Sequence, residues 1–200
     1  MNHEEVSLAD TPNILPVDLG GGIIAELPLS WIDDTTGIYS FVLLNRVDWV
    51  RAAATSLIEK IDDALDGETI DIILTPEAKA ITLAYEVAVR LSLNEFVVAR
   101  KGPKAYMTNP SSVEVKSITT ASVQQLWFGE EDLAKLRGRR VLVIDDVVST
   151  GATLEAIFKF LRSHDCEVAL VACVLTENNA LTEFDGVPLV SIGHIPLAKR

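Results

Sequence analysis

The residues best equipped for chemistry lie in one stretch, Val141–Thr153, with the sequence VLVIDDVVSTGAT. Asp145 and Asp146 follow four apolar residues that read as a buried strand. Ser149-Thr150-Gly151-Ala152-Thr153 comes just after, and a helical pattern starts there. This order of strand, acids, hydroxyl–Gly turn and helix suits a phosphate monoester joined to a sugar. Helix N-terminal N–H groups and the Thr150 and Thr153 hydroxyls can surround the phosphate, and Gly151 permits close backbone approach. The carboxylates can accept hydrogen bonds from vicinal ribose hydroxyls, or hold a magnesium ion through water. The plainer alternative is a helix capped by Ser149 or Thr150 behind two solvated acids. Both features on a single turn favour the ligand site.

Two other groups of residues fit the same chemistry. Pro76, Glu77, Ala78 and Lys79 follow a strand and open a helix, so the N–H groups that follow Pro76 can receive a diphosphate. An ordinary turn with Lys79 in solvent is the competing reading. Arg100, Lys101 and Lys104 place three cations within five residues at another strand end. The chain has 29 acids against 17 bases and a net charge of −12. Such a surface repels nucleic acid and anionic membranes, so an anionic ligand requires cations concentrated locally. Arg100 to Lys104 supply that concentration.

The elements that must position these groups are readable from periodicity. Residues 48–65 carry apolar side chains at helical spacing, with Gly67 as a stop. Strands at 69–74, 95–100, 140–145, 167–175 and 189–192 alternate with helices at 79–91, 131–136 and 152–163. Residues 101–128 break the pattern as a long two-stranded excursion. The first 40 residues read as an irregular arm punctuated by Pro12, Pro16, Gly20-Gly21-Gly22 and Pro28. The runs GIIAELPL and YSFVLL are candidate strands over the main body. The expected class is α/β, a doubly wound, mostly parallel sheet with helices on both faces. In such sheets ligands sit beyond the carboxyl ends of the strands.

The stretch from Val141 to Thr153 resembles the phosphoribosyl-pyrophosphate (PRPP) signature of type I phosphoribosyltransferases. It has four apolar residues, two acids, two apolar residues, a small residue, Thr-Gly, one residue and Thr. The resemblance implies that Asp145 and Asp146 contact the ribose, and that Val147, Val148, Ser149, Thr150, Gly151, Ala152 and Thr153 form the 5′-phosphate loop. The turn through Pro76, Glu77, Ala78 and Lys79 resembles the pyrophosphate loop of adenine and xanthine phosphoribosyltransferases. Ala99-Arg100-Lys101 resembles the basic segment of the adenine type, which implies that Arg100, Lys101 and Lys104 face the pyrophosphate. Residues 101–128 stand where that family carries a flexible catalytic loop that excludes water on closing. Tyr106, Lys116, Ser117, Thr119, Thr120 and Ser122 are its candidate contacts. Residues 1–45 take the place of the hood over the base, where Tyr39 or Phe41 either stacks on the base or belongs to the core. The segment GVPLVSIGHIPL resembles the closing strand of xanthine-type members.

The implied enzyme is one domain over residues 1–200, converting PRPP and a purine to a nucleoside 5′-monophosphate and pyrophosphate in purine salvage. The implied cofactor is Mg²⁺ bound with PRPP and held by Asp145 and Asp146; the implied assembly is a homodimer. Arg100, Lys101, Asp145 and Asp146 are the implied catalytic group. Ser149 stands where hypoxanthine-guanine members usually carry Asp, which points to the adenine and xanthine types; Ala99-Arg100-Lys101 puts adenine first and the C-terminal strand puts xanthine next, with another base as the alternative. Two other classes compete. A PRPP-sensing regulator on the same fold needs a basic DNA-binding segment, yet the first 45 residues contain neither Lys nor Arg. A receiver-like phosphorelay domain places its acidic pair at the first strand, whereas this pair comes late.

Cys166 and Cys173 read as buried small side chains rather than metal ligands or a disulfide. His3, His164 and His194 are too scattered for a catalytic cluster. With neither a signal-like N-terminus nor an apolar run near the roughly 20 residues needed to span a bilayer, a cytoplasmic chain is expected.

Overall fold

The computed structural model describes residues 5–6, 11–115 and 124–200. In chain order its elements are β1 (Glu5–Val6), β2 (Ile14–Asp18), β3 (Ile24–Trp31), β4 (Thr36–Tyr39), α1 (Val47–Leu65), β5 (Ile72–Pro76), α2 (Ile81–Arg90) and β6 (Phe96–Ala99). There follow β7 (Ser111–Val115), β8 (Gln124–Phe128), α3 (Glu130–Leu136), β9 (Arg140–Val148), α4 (Ala152–Arg162) and β10 (Glu167–Glu177). β11 (Glu183–Phe184), β12 (Val187–Ile195) and β13 (Leu197–Lys199) close the chain.

The main sheet has the order β11-β12-β10-β9-β5-β6, and every pairing except β11–β12 is parallel. Its central strands are apolar almost without interruption because both faces are covered. Ile73, Leu142, Ile144, Leu170, Ala172 and Val174 pack in one core cluster with α1, α2 and the N-terminal strands. Ile72, Leu74, Val141, Val143, Val171 and Cys173 pack in the other, with α4 and β8. The alternation follows from the two-residue period of a strand. Phe128 and Phe160 stack at 4.3 Å between ring centroids and join β8 to α4.

In α1 the stripe Trp49, Val50, Ala53, Leu57, Ile61 and Leu65 is buried, as its spacing predicts. The helix closes on Asp66 in the left-handed region at φ 47°, one residue ahead of the expected glycine stop. Residues 101–128 do contain a two-stranded unit, since β7 and β8 pair antiparallel.

The N-terminal region is more regular than an irregular arm, although the candidate strand GIIAELPL does form as β3. β2, β3 and β4 form antiparallel pairs, and the chain's last strand joins them in a sheet of order β1-β13-β4-β3-β2. The covering layer is thus built from both ends of the chain. YSFVLL is not a strand of its own, because β4 ends at Tyr39 and residues 41–43 are irregular. Its apolar content has another use: Phe41 stacks on Trp49 at 5.8 Å, and both are buried. Tyr39 is also buried, its hydroxyl donating to the Pro12 carbonyl at 3.0 Å. Both aromatics belong to the core.

Candidate active site

β5 leads through α2 to β6 on one side of the sheet, while β9 leads through α4 to β10 on the other. The connections diverge between β5 and β9, which makes a crevice beyond their carboxyl ends. All three sequence groups meet there, because their strands are neighbours. The acids and phosphate-type loop leave β9, the turn through residues 76–79 leaves β5, and the cations leave β6.

Asp145 and Asp146 lie in β9, where alternation turns successive side chains to opposite faces. Asp145 lines a cleft of about 170 Å³ together with residues 147–154, Val115 and Gln124. Asp146 is 5% exposed and faces the β5 turn, with its Oδ2 3.6 Å from Lys79 Nζ. Lys79 is therefore not simply in solvent; it spans the crevice. Oδ2 of Asp146 is buried and accepts no hydrogen bond. The Asp146 N–H donates to Asp145 Oδ1 at 2.8 Å. Burial, followed by the neighbouring Asp146 charge, pushes the Asp145 carboxyl well above the usual carboxylate range. Two like charges out of water favour a cation or hydrogen-bond donors beside them.

The loop after β9 ends on Gly151 in the left-handed region, at φ 78°, as the residue preceding α4. The N-cap Gly151 offers no side-chain cap, and the Thr150 Oγ1 accepts the Ala152 N–H in a long hydrogen bond of 3.4 Å. Thr150 thus contacts only the first N–H of α4, and the N–H groups that follow remain available to an anion in the cleft. Gly151 has a further structural reason. A Cβ there would lie 2.3 Å from Cε2 of Phe184. The expectation assigned the absence of a side chain to the ligand side alone, yet the adjacent aromatic ring also requires it.

On the β6 side, Arg100 exchanges backbone hydrogen bonds with Trp127 of β8: Arg100 N–H to Trp127 O at 2.9 Å, and Trp127 N–H to Arg100 O at 2.7 Å. The β7–β8 hairpin thereby fixes where the cations leave the sheet. Glu77 does something its placement in an anion-binding turn did not predict. Its Oε2 accepts the Lys101 N–H at 2.8 Å, and its carboxylate lies 3.9 Å from Arg100 Nη1 and 4.0 Å from Lys104 Nζ. The Lys101 N–H and then the Arg100 and Lys104 charges hold its carboxyl below the ordinary range, against partial burial. Pro76 is the buried last residue of β5, and the peptide joining Glu77 to Ala78 is cis.

Val115 and Gln124, the last residue of β7 and the first of β8, both line the phosphate-type cleft. Of the hairpin candidates, Tyr106 is 69% exposed. Lys116, Ser117, Thr119, Thr120 and Ser122 lie outside the described residues. His194 Nδ1 is 3.1 Å from the buried Thr176 hydroxyl at the carboxyl ends of β12 and β10. His164 sits in the turn after α4, its Nδ1 2.8 Å from the Phe160 carbonyl. Cys166 and Cys173 are buried, and burial pushes both thiols up. Among the described residues, no group of three or more His, Cys, Asp or Glu side chains could hold a metal ion by itself. No helix there is long and apolar enough to cross a membrane.

Residues 47–191 match the family described as phosphoribosyl transferase domain. The chain belongs to this family. Phosphoribosyltransferases are PRPP-dependent pentosyltransferases, and the purine-specific relatives of this chain carry two kinds of name. The hypoxanthine/guanine phosphoribosyltransferase of Methanococcus voltae is 31% identical over 151 residues, covering 72% of this chain and 74% of its own. The adenine phosphoribosyltransferase of Thermotoga neapolitana is 28% identical over 115 residues, covering 58% and 64%. Among solved structures, the adenine phosphoribosyltransferase of Thermoanaerobacter pseudethanolicus aligns with a TM-score of 0.61 at 22% identity, over 91% of this chain and 95% of that one. The fold of that structure is therefore shared along most of this chain.

Proposed function

We propose that this phosphoribosyltransferase converts PRPP and a purine base to a nucleoside 5′-monophosphate and pyrophosphate, with adenine the preferred base and xanthine next. The convergence of the three groups on the β5–β9 crevice carries the reading. The N–H groups of α4 and the Thr150 and Thr153 hydroxyls hold the 5′-phosphate, while Asp145 and Asp146 hold the ribose. Arg100, Lys101, Lys104 and the Ala78–Lys79 end of the β5 turn hold the diphosphate. As the bond from C1 to the diphosphate lengthens, positive charge grows on the sugar and negative charge on the leaving group. The two carboxylates lie on the side of the first, and the cations on the side of the second. The base attacks C1 from the opposite face, with inversion.

Oδ2 of Asp146, which accepts no hydrogen bond and has only the Lys79 charge 3.6 Å away, and the adjacent Asp145 carboxyl would suit a divalent cation that takes its other ligands from PRPP and water. When bound, Mg²⁺ supplies charge neutralisation of the diphosphate. The β7–β8 hairpin bounds the cleft and limits water near the sugar.

For the base, the non-acidic Ser149 supports adenine or xanthine. The test is kcat/KM for adenine, xanthine, hypoxanthine and guanine, each with Mg-PRPP. Adenine is expected highest by at least about tenfold, a preference of roughly 1.4 kcal/mol; a higher value for hypoxanthine or guanine rejects the base assignment.

A cytoplasmic homodimer completes the reading. Val47, Tyr85 and Val89 on α1 and α2 are 72%, 59% and 55% exposed, and a groove between the two helices is lined by Leu44, Val47, Tyr85 and Phe96. Such a patch suits a subunit contact. Sedimentation equilibrium is expected to give about twice the chain mass of 21.8 kDa, and a monomer mass rejects it.

A further inference from the structure

The cation cluster assigned to the diphosphate already contains an anion. Glu77 takes the Lys101 N–H at 2.8 Å and stands between the side chains of Arg100 and Lys104. It is held there from below, since its own N–H donates to the Ala99 carbonyl at 2.8 Å. Yet its grip on the side-chain cations is loose. Distances of 3.9 and 4.0 Å are well beyond the roughly 2.7–2.9 Å of a charge-assisted hydrogen bond. Arg100 Nε is buried and has no hydrogen-bond partner among the described residues. A buried guanidinium donor without an acceptor is costly, so the cluster is built to receive more negative charge than Glu77 provides.

We propose that Glu77 is a built-in counter-anion of the diphosphate site, holding Arg100, Lys101 and Lys104 together when no diphosphate is present and yielding them when it binds. A diphosphate has more charge and more acceptor oxygens than one carboxylate, so it displaces the weak contacts and supplies Arg100 Nε with a partner. Glu77 then lies beside the leaving group as a like charge. Its repulsion weakens the hold on free pyrophosphate and speeds product release. Glu77 is in this sense a positioning residue that acts through the cations. This inference rests on the assignment of Arg100, Lys101 and Lys104 to the diphosphate.

The test is calorimetric titration of inorganic pyrophosphate, and separately of ribose 5-phosphate, into wild type, Glu77→Gln and Glu77→Asp. Gln keeps an acceptor for the Lys101 N–H but removes the charge. It is expected to bind pyrophosphate about tenfold more tightly than wild type, while ribose 5-phosphate affinity changes by less than about twofold. Asp keeps the charge and is expected to stay near wild type. Should the Gln variant not fold, Glu77→Ser removes the same charge and is read in the same titration. Equal or weaker pyrophosphate binding by the folded, charge-removed variant overturns the proposal and leaves the diphosphate assignment standing. Wild type that binds ribose 5-phosphate but no pyrophosphate overturns both.

Discussion

Replacing Asp145 with Asn is expected to raise the melting temperature while lowering kcat/KM for PRPP between about tenfold and 100-fold. The two effects have one cause. Asp145 is desolvated next to the Asp146 carboxylate, so its carboxyl ionises only well above the ordinary range. Its neutral form is therefore favoured by folding. The stability this gives is fully present below the unfolded carboxyl value and is lost as pH rises through the folded one. At neutral pH the native chain carries that loss, and the neutral amide does not. Asn also keeps an oxygen able to accept the Asp146 N–H now bonded at 2.8 Å. A gain of about 1 kcal/mol would appear as roughly 2–4 °C. On the ligand side, Asn puts an NH2 donor where a carboxyl oxygen accepts from a ribose hydroxyl, and leaving that hydroxyl unpaired costs roughly 1–3 kcal/mol. Differential scanning calorimetry at acid and neutral pH checks the first effect, with the gap between variant and wild type closing as pH falls. A lower melting temperature at neutral pH contradicts the electrostatic picture.

Replacing Gly151 with Ala should be the most damaging single methyl group in the site. Two penalties coincide: a φ of 78° that L residues avoid, and a Cβ 2.3 Å from the Phe184 ring. Backbone strain and overpacking each cost about 1–3 kcal/mol, so a combined loss near 3 kcal/mol and roughly 6–12 °C is expected. The phosphate-type loop would also have to move, removing ribose 5-phosphate affinity. Phe184 packs edge-on against Phe158 at 5.5 Å, so it cannot yield freely. The double variant Gly151→Ala, Phe184→Ala relieves the clash but not the φ. Relative to the sum of the single losses, it is expected to recover about 1–3 kcal/mol. Strict additivity in chemical denaturation would show that the ring does not constrain the loop.

Much of this site was legible from local sequence because its parts are local. The strand through Ile144, the acids after it and the loop before α4 are contiguous, so their order encodes their geometry. The cations leaving β6 are likewise consecutive. What stayed hidden depends on pairings across the fold. Phe184 fills the space at Gly151 from another strand, and Lys79 meets Asp146 only because β5 lies beside β9. Glu77 was visible as an acid among residues expected to bind an anion, and that mismatch was the available signal of its contact with the cations. The covering sheet was harder still. Its short strands are broken by Pro and Gly, and its partner strand comes from the far end of the chain. Thr36–Tyr39 pairs with the nearby β3 on one side, but its other partner, β13, lies at the far end of the chain. Apolar YSFVLL shows the opposite error, in which core burial of Phe41 and Leu43 supplied strand-like composition without a strand.

The most direct test of phosphoribosyl transfer at the β5–β9 crevice is phosphorus-31 NMR of the wild-type protein with Mg-PRPP and adenine. Equal rates of PRPP loss, pyrophosphate appearance and adenosine 5′-monophosphate appearance are expected, all abolished by omitting the base. PRPP that binds measurably but is turned over with no purine would contradict it, and would identify the crevice as a sensing site.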